Sequence, residues 1–141
     1  MGTFETYVKP GMKGEKETVV TEQYTARAWG SGGLPVYATP AMIGLMEGAS
    51  VAAVDSSLPA GFSTVGTLLN VSHITATPLG MAVRASGELL QIEGRRLVFK
   101  VEAFDEAGKI GEGTHERCII ENEKFLKKAE AKKQLSGKSS R

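Results

Sequence analysis

Between Pro40 and Asp55 the chain carries a single charge, Glu47, and apolar or small residues at nearly every other position. A helix that is apolar on all sides is buried in the middle of its domain, not laid on the surface. Thr39 followed by Pro40 marks its start: a hydroxyl that can cap, then a proline whose missing N–H costs nothing in the first turn. Taken alone, Thr39 therefore reads as a helix cap, and the helix is expected to run to Val54. Beyond the turn-rich stretch from Ser56 to Gly61 the pattern changes. Phe62–Ser72, Met81–Ile92, Leu97–Phe104 and Ile110–Glu121 are β-branched or alternating runs. Turn signals at Pro78-Leu79-Gly80, Glu93-Gly94-Arg95 and Asp105 to Gly108 separate them. Leu97, Phe99, Val101 and Ala103 alternate with Val98, Lys100, Glu102 and Phe104, which gives one apolar face and one mixed face. Ahead of the helix lie a short β-prone run, Thr18 to Thr21, and a flexible GSGGLP loop at residues 30–35. The expectation is an α+β domain in which an antiparallel sheet of at least four strands wraps one central helix.

Composition narrows the class. The 141 residues, with 17 basic against 16 acidic side chains and 41% hydrophobic, suit one globular domain and exclude disordered and collagen-like chains. A single cysteine, Cys118, excludes an internal disulfide framework and is expected to be a small buried hydrophobe. No apolar run reaches the length of a membrane span, and the N-terminus lacks a signal-peptide pattern, so a cytoplasmic protein without a membrane partner is expected. Charge is uneven: residues 124–141 hold seven basic residues and one acid, leaving the first 123 mildly acidic. The basic end reads as a solvated helix that frays into a tail. A nucleic-acid arm would need interleaved aromatics and a body of the same sign, so no nucleic-acid partner is expected. The folded domain is set at residues 1–125 and the basic end at 126–141.

Three side chains are candidates for chemistry. Glu47 is costly to bury on an apolar helix unless it finds a partner or a raised pKa; it is either a structural carboxylate or a general base. His73 ends a strand beside a polar cluster of Ser72, Thr75 and Thr77, where working side chains collect. Otherwise it is a satisfied structural imidazole. Thr39 lies eight helical residues from Glu47, about 12 Å along the axis, so the two do not meet within one helix. His115 falls mid-strand. Two histidines without a cysteine set offer too few ligands for a metal site, and none is expected. No dinucleotide, phosphate-loop or nucleophile-elbow motif occurs.

The segments VYATPAMIGLMEGAS, GTLLNVSHITATPLGM and EGRRLVFKVEAFDEAGKIGEGTHERCII, in that order, resemble the hot-dog thioesterases of the fluoroacetyl-CoA thioesterase type. The resemblance runs from about Pro10 to Phe125. It implies a hot-dog fold, an acyl-CoA substrate, no separate cofactor, and a homodimer with active sites at the interface, with assembly into a dimer of dimers left open. By motif it places catalytic roles on Thr39, Glu47 and His73. It also places Gly66 against the thioester and Arg117 in the GTHER motif, where it either pairs an acid or contacts CoA. One departure stands out: the fluoroacetyl-specific relative has a phenylalanine over the acyl pocket, where this chain has glycine in GSGGLPVY. Loss of that ring widens the pocket and weakens rejection of ordinary acyl groups, so a short or small acyl-CoA is expected without commitment to fluorine.

The implied reaction is thioester hydrolysis. Glu47 serves as base or nucleophile, His73 orients or protonates, and Thr39 donates a hydrogen bond, an alkoxide being disfavoured without a close base. The rivals are an acyl-thioester hydratase or dehydratase on the same fold, and a non-catalytic acyl-CoA-binding dimer.

Overall fold

The computed structural model describes residues 4–136. Five strands form one antiparallel sheet: β1 (Lys13–Val19), β2 (Phe62–His73), β3 (Ala82–Glu93), β4 (Arg96–Asp105) and β5 (Gly108–Glu121). Their spatial order is β1-β3-β4-β5-β2, so β1 and β2 are the edges. A one-turn helix, α1 (Ala26–Trp29), precedes the central helix α2 (Thr39–Val54); α3 (Asn122–Glu130) and α4 (Lys132–Leu135) follow the sheet. Both lie exposed. Residues 137–141 of the basic end lie outside the described residues.

The strands turn where the sequence signals it. Gly94 adopts φ +61° between β3 and β4, a left-handed conformation that glycine alone enters without penalty. Between β4 and β5, Asp105 Oδ1 accepts the backbone N–H groups of Ala107 and Gly108. The alternation in β4 holds: Leu97, Phe99, Val101 and Ala103 are fully buried. They meet Met42, Met46, Ala49 and Val54 of the helix in one core. Burying the larger of these side chains, the valines, leucine, phenylalanine and methionines, stabilises by roughly 1.5–3 kcal/mol each relative to exposure. The helix lies so close to the sheet that a Cβ on Gly87 would come within 2.6 Å of Ser50 Oγ.

Three details depart from expectation. The first strand is the charged segment Lys13–Val19, not Thr18 to Thr21. Its backbone pairs with β3 on one side only, and its charges mask the alternation. Thr39 does not cap the helix: Ala38 occupies the cap position without a side-chain bond, and the Thr39 hydroxyl is used elsewhere. Cover over α2 is one-sided within the single chain. Met42, Met46, Ala49, Ser50, Ala53 and Val54 are buried, whereas Gly44 and Ala52 on the other side are exposed. Among the described residues no helix is long and apolar enough to cross a membrane.

Candidate active site

Residues at the two ends of neighbouring elements make the first half of the site. β2 ends at His73 where α2 begins at Thr39, and Thr39 Oγ1 lies 2.7 Å from His73 Nδ1. The pair forms the wall of a cavity of about 290 Å³ that is also lined by Ser31, Val36, Tyr37 and Ile74. Burial pushes the His73 imidazole below its ordinary pKa. The ring is therefore neutral at neutral pH, and its Nδ1 can accept the threonine proton. Its other nitrogen, Nε2, is buried and has no hydrogen-bond partner among the described residues. A hydroxyl with an imidazole at this distance has the close base that an alkoxide nucleophile needs.

The second half is built around Arg117, only 5% exposed. Its Nε donates to Thr64 Oγ1 at 2.8 Å, its Nη2 to the Thr64 carbonyl at 3.0 Å, and its Nη1 to His115 Nε2 at 3.1 Å. His115 Nδ1 in turn faces the Leu68 carbonyl at 2.8 Å, which places the proton on Nδ1 and leaves Nε2 as an acceptor. The β2–β5 register shifts between Gly66 and Leu68, so a bulge sits at this point of the site. Arg117 Nη1 also reaches to 3.6 Å from Glu47 Oε2, so Glu47 finds a partner rather than standing alone on the apolar helix. A Cβ at Gly66 would lie 2.6 Å from Glu47 Oε2, 3.2 Å from His115 Cε1 and 3.3 Å from Arg117 Nη1. Only glycine fits there without displacing the carboxylate.

Burial lowers the pKa of the Arg117 guanidinium, opposed by Asp55 and then Glu47. Burial likewise lowers that of His115; the Leu68 carbonyl opposes it, Arg117 adds to it, and Glu47 opposes it.

One chain thus brings Thr39 to His73, and Glu47 to Gly66 and Arg117, but lines the cavity beside His73 without Glu47. Sequence alone weighs His115 only as a metal ligand and does not point to Thr64 or Asp55. For His115 a signal existed: two residues before Arg117 on one strand, it shares that residue's face of the sheet. Thr64 and Asp55 meet across the turn that follows α2, where no periodicity reveals contact.

An open antiparallel sheet packed on one long helix, with a hydroxyl and a carboxylate on that helix and an imidazole at the end of the strand beside its start, defines the class of hot-dog fold thioesterases. Residues 20–123 match the family described as fluoroacetyl-CoA-specific thioesterase, and the chain belongs to that family. The fluoroacetyl-CoA thioesterase of Streptantibioticus cattleyicolor is 46% identical over 97 residues, 69% of this chain and 70% of that protein. A threonine-to-serine variant of a fluoroacetyl-CoA thioesterase, solved in complex with acetyl-CoA, superposes with a TM-score of 0.84 at 37% identity, covering 89% of this chain and 98% of that one. A Thermus thermophilus member of the thioesterase superfamily gives 0.85 at 31% identity, with 92% and 96% covered. The protein is a thioester hydrolase.

Proposed function

We propose that this chain hydrolyses short acyl-CoA thioesters at a site completed by two copies of itself. The 2.7 Å contact between Thr39 Oγ1 and His73 Nδ1 carries this reading. His73 takes the hydroxyl proton as Thr39 attacks the thioester carbonyl. The C–S bond breaks, and the proton passes to the departing CoA thiolate. Water then cleaves the acyl–threonine ester with His73 again as base, releasing the carboxylic acid and restoring the hydroxyl. The partner subunit's Glu47 borders the same pocket, where it balances the transient charge of the imidazolium. Backbone N–H groups at the start of α2 or beside Gly66 hold the oxyanion.

The edges of the sheet support pairing of copies. β1 is blunted by Lys13, Glu15, Lys16 and Glu17, whereas β2 presents Leu68 and Leu69 to solvent. Charges protect a strand edge from association; an uncharged, apolar edge invites it. We place the enzyme in the cytoplasm, where acyl-CoA thioesters are made and consumed, with coenzyme A entering only as part of the substrate and no further cofactor or metal. Breadth of acyl group is expected from the glycine-rich loop before the helix, which lacks the phenylalanine ring that the resemblance places over the acyl pocket of the fluoroacetyl-specific relative.

A second reading has Glu47 activating water directly, favoured by its position against Gly66 and Arg117. Mass spectrometry of the enzyme quenched during turnover separates the two. Acyl mass assigned to Thr39 itself by fragmentation supports the first, and turnover that accumulates no acyl-enzyme supports the second. A panel of acyl-CoA esters, including fluoroacetyl-CoA and assayed by release of free CoA thiol, tests the function itself; no release from any member would overturn it.

A further inference from the structure

Asp55 and Thr64 lie outside the cavity, yet their bonds run in a fixed direction toward it. The Thr64 hydroxyl donates to Asp55 Oδ1 at 2.7 Å, and the Thr64 N–H donates to Asp55 Oδ2 at 3.2 Å. A hydroxyl has one proton. Because Asp55 takes it, Thr64 Oγ1 can offer Arg117 Nε only a lone pair, and it does so at 2.8 Å, while the Thr64 carbonyl accepts Nη2. With His115 Nε2 accepting from Nη1, the guanidinium is held on three of its sides. Rotation about its long stem is thereby removed, and the remaining face of Nη1 points at Glu47 Oε2.

Charge reinforces geometry. Arg117 is a buried cation between two carboxylates, Asp55 on one side and Glu47 on the other, and a buried arginine without compensation is costly. A counterion fixed at Asp55 keeps Arg117 ionised in place without requiring Glu47 to close on it. This agrees with the looser 3.6 Å separation on the Glu47 side.

We propose that Asp55 and Thr64 are positioning residues for the thioesterase reaction, acting through Arg117 to hold the Glu47 carboxylate at Gly66. Neither touches the reacting atoms. This inference rests on the reading that Glu47 takes part in hydrolysis.

The test is steady-state kinetics on acetyl-CoA, read as free CoA, together with the ¹⁵N NMR signal of the Arg117 Nε–H. In Thr64→Val the Nε–H loses its protection from solvent exchange. The kcat falls tenfold or more, and KM stays within about twofold, because binding of CoA does not depend on the relay. Thr64→Ser, which keeps the hydroxyl, restores both the signal and kcat to within about twofold. In a Glu47→Gln background Thr64→Val adds no further loss, since the two act on one element. A wild-type kcat in Thr64→Val, a loss confined to KM, an unprotected Nε–H in the wild type, or a full additional loss on top of Glu47→Gln would each overturn the relay. Wild-type turnover in Glu47→Gln itself would instead sink the role of Glu47 and leave the NMR arm to report on the geometry alone.

Discussion

The hydroxyl of Thr39 sits 2.7 Å from Nδ1 of His73, and it reaches that nitrogen because it does not cap its own helix. A side chain that stands at a helix start, follows the favoured sequence for a cap and still turns away is committed to another partner. Replacing Thr39 with alanine removes that hydroxyl and leaves the imidazole. We expect kcat to fall by about 10⁴-fold or more, the scale for removing the nucleophile of a nucleophile–base pair. Thr39→Ser should retain a larger share of it. Initial rates of CoA release from the two variants check this directly.

The pH profile follows from the state of His73. Burial holds its pKa below the ordinary histidine value, so the ring stays neutral, and able to accept a proton, further into acid than a free imidazole. We expect kcat/KM to be level around neutrality and to decline only below about pH 6.5. The sign for stability is the same. His73 and His115 both bind protons more weakly folded than unfolded. The unfolded chain takes up protons first, and stability falls as pH drops through that value. Denaturation midpoints at successive pH values, in wild type and in His73→Gln, measure the contribution.

Gly66 offers a cleaner perturbation of the carboxylate than changing Glu47 itself. An alanine methyl group would lie 2.6 Å from Glu47 Oε2, the movable end of a side chain, and also 3.2 Å from His115 Cε1 and 3.3 Å from Arg117 Nη1, which are buried. The carboxylate must swing away while the strand remains paired. We expect Gly66→Ala to lose at least tenfold in kcat while the chain stays folded, with a stability loss of about 1–3 kcal/mol. Loss of folding in proportion to activity would show that the glycine serves the strand and not the site.

Much of this arrangement was legible in the residues. Glu47 stood out because a lone charge on an apolar helix must be explained, and the turn signals bounded four of the five strands. β1 escaped because an edge strand satisfies its backbone through β3 and leaves Lys13, Glu15, Lys16 and Glu17 in solvent, with no apolar stripe to read. Taken alone, Thr39 reads as a cap because a cap is a local pattern, whereas its bond to His73 joins residues 34 positions apart. The Asp55–Thr64–Arg117 contacts escaped for the same reason: polar pairing across a turn has no period.

The free edge of β2 makes its own prediction. Leu69 is exposed in the single chain, so placing a charge there should leave the chain folded but set like charges against each other in a symmetric pair. We expect Leu69→Glu to sediment as a monomer and to lose hydrolysis. An active monomer would place the whole reaction centre within one chain.

The most direct measurement is complementation between two inactive variants. Thr39→Ala and Glu47→Gln chains are prepared separately, mixed, and allowed to exchange subunits, with exchange verified by native mass spectrometry. If each centre takes Thr39 and His73 from one copy and Glu47 from the other, every mixed dimer regains one intact centre. Random exchange then recovers about a quarter of wild-type activity. Verified mixed dimers that remain as inactive as their parents would contradict a site shared between two chains.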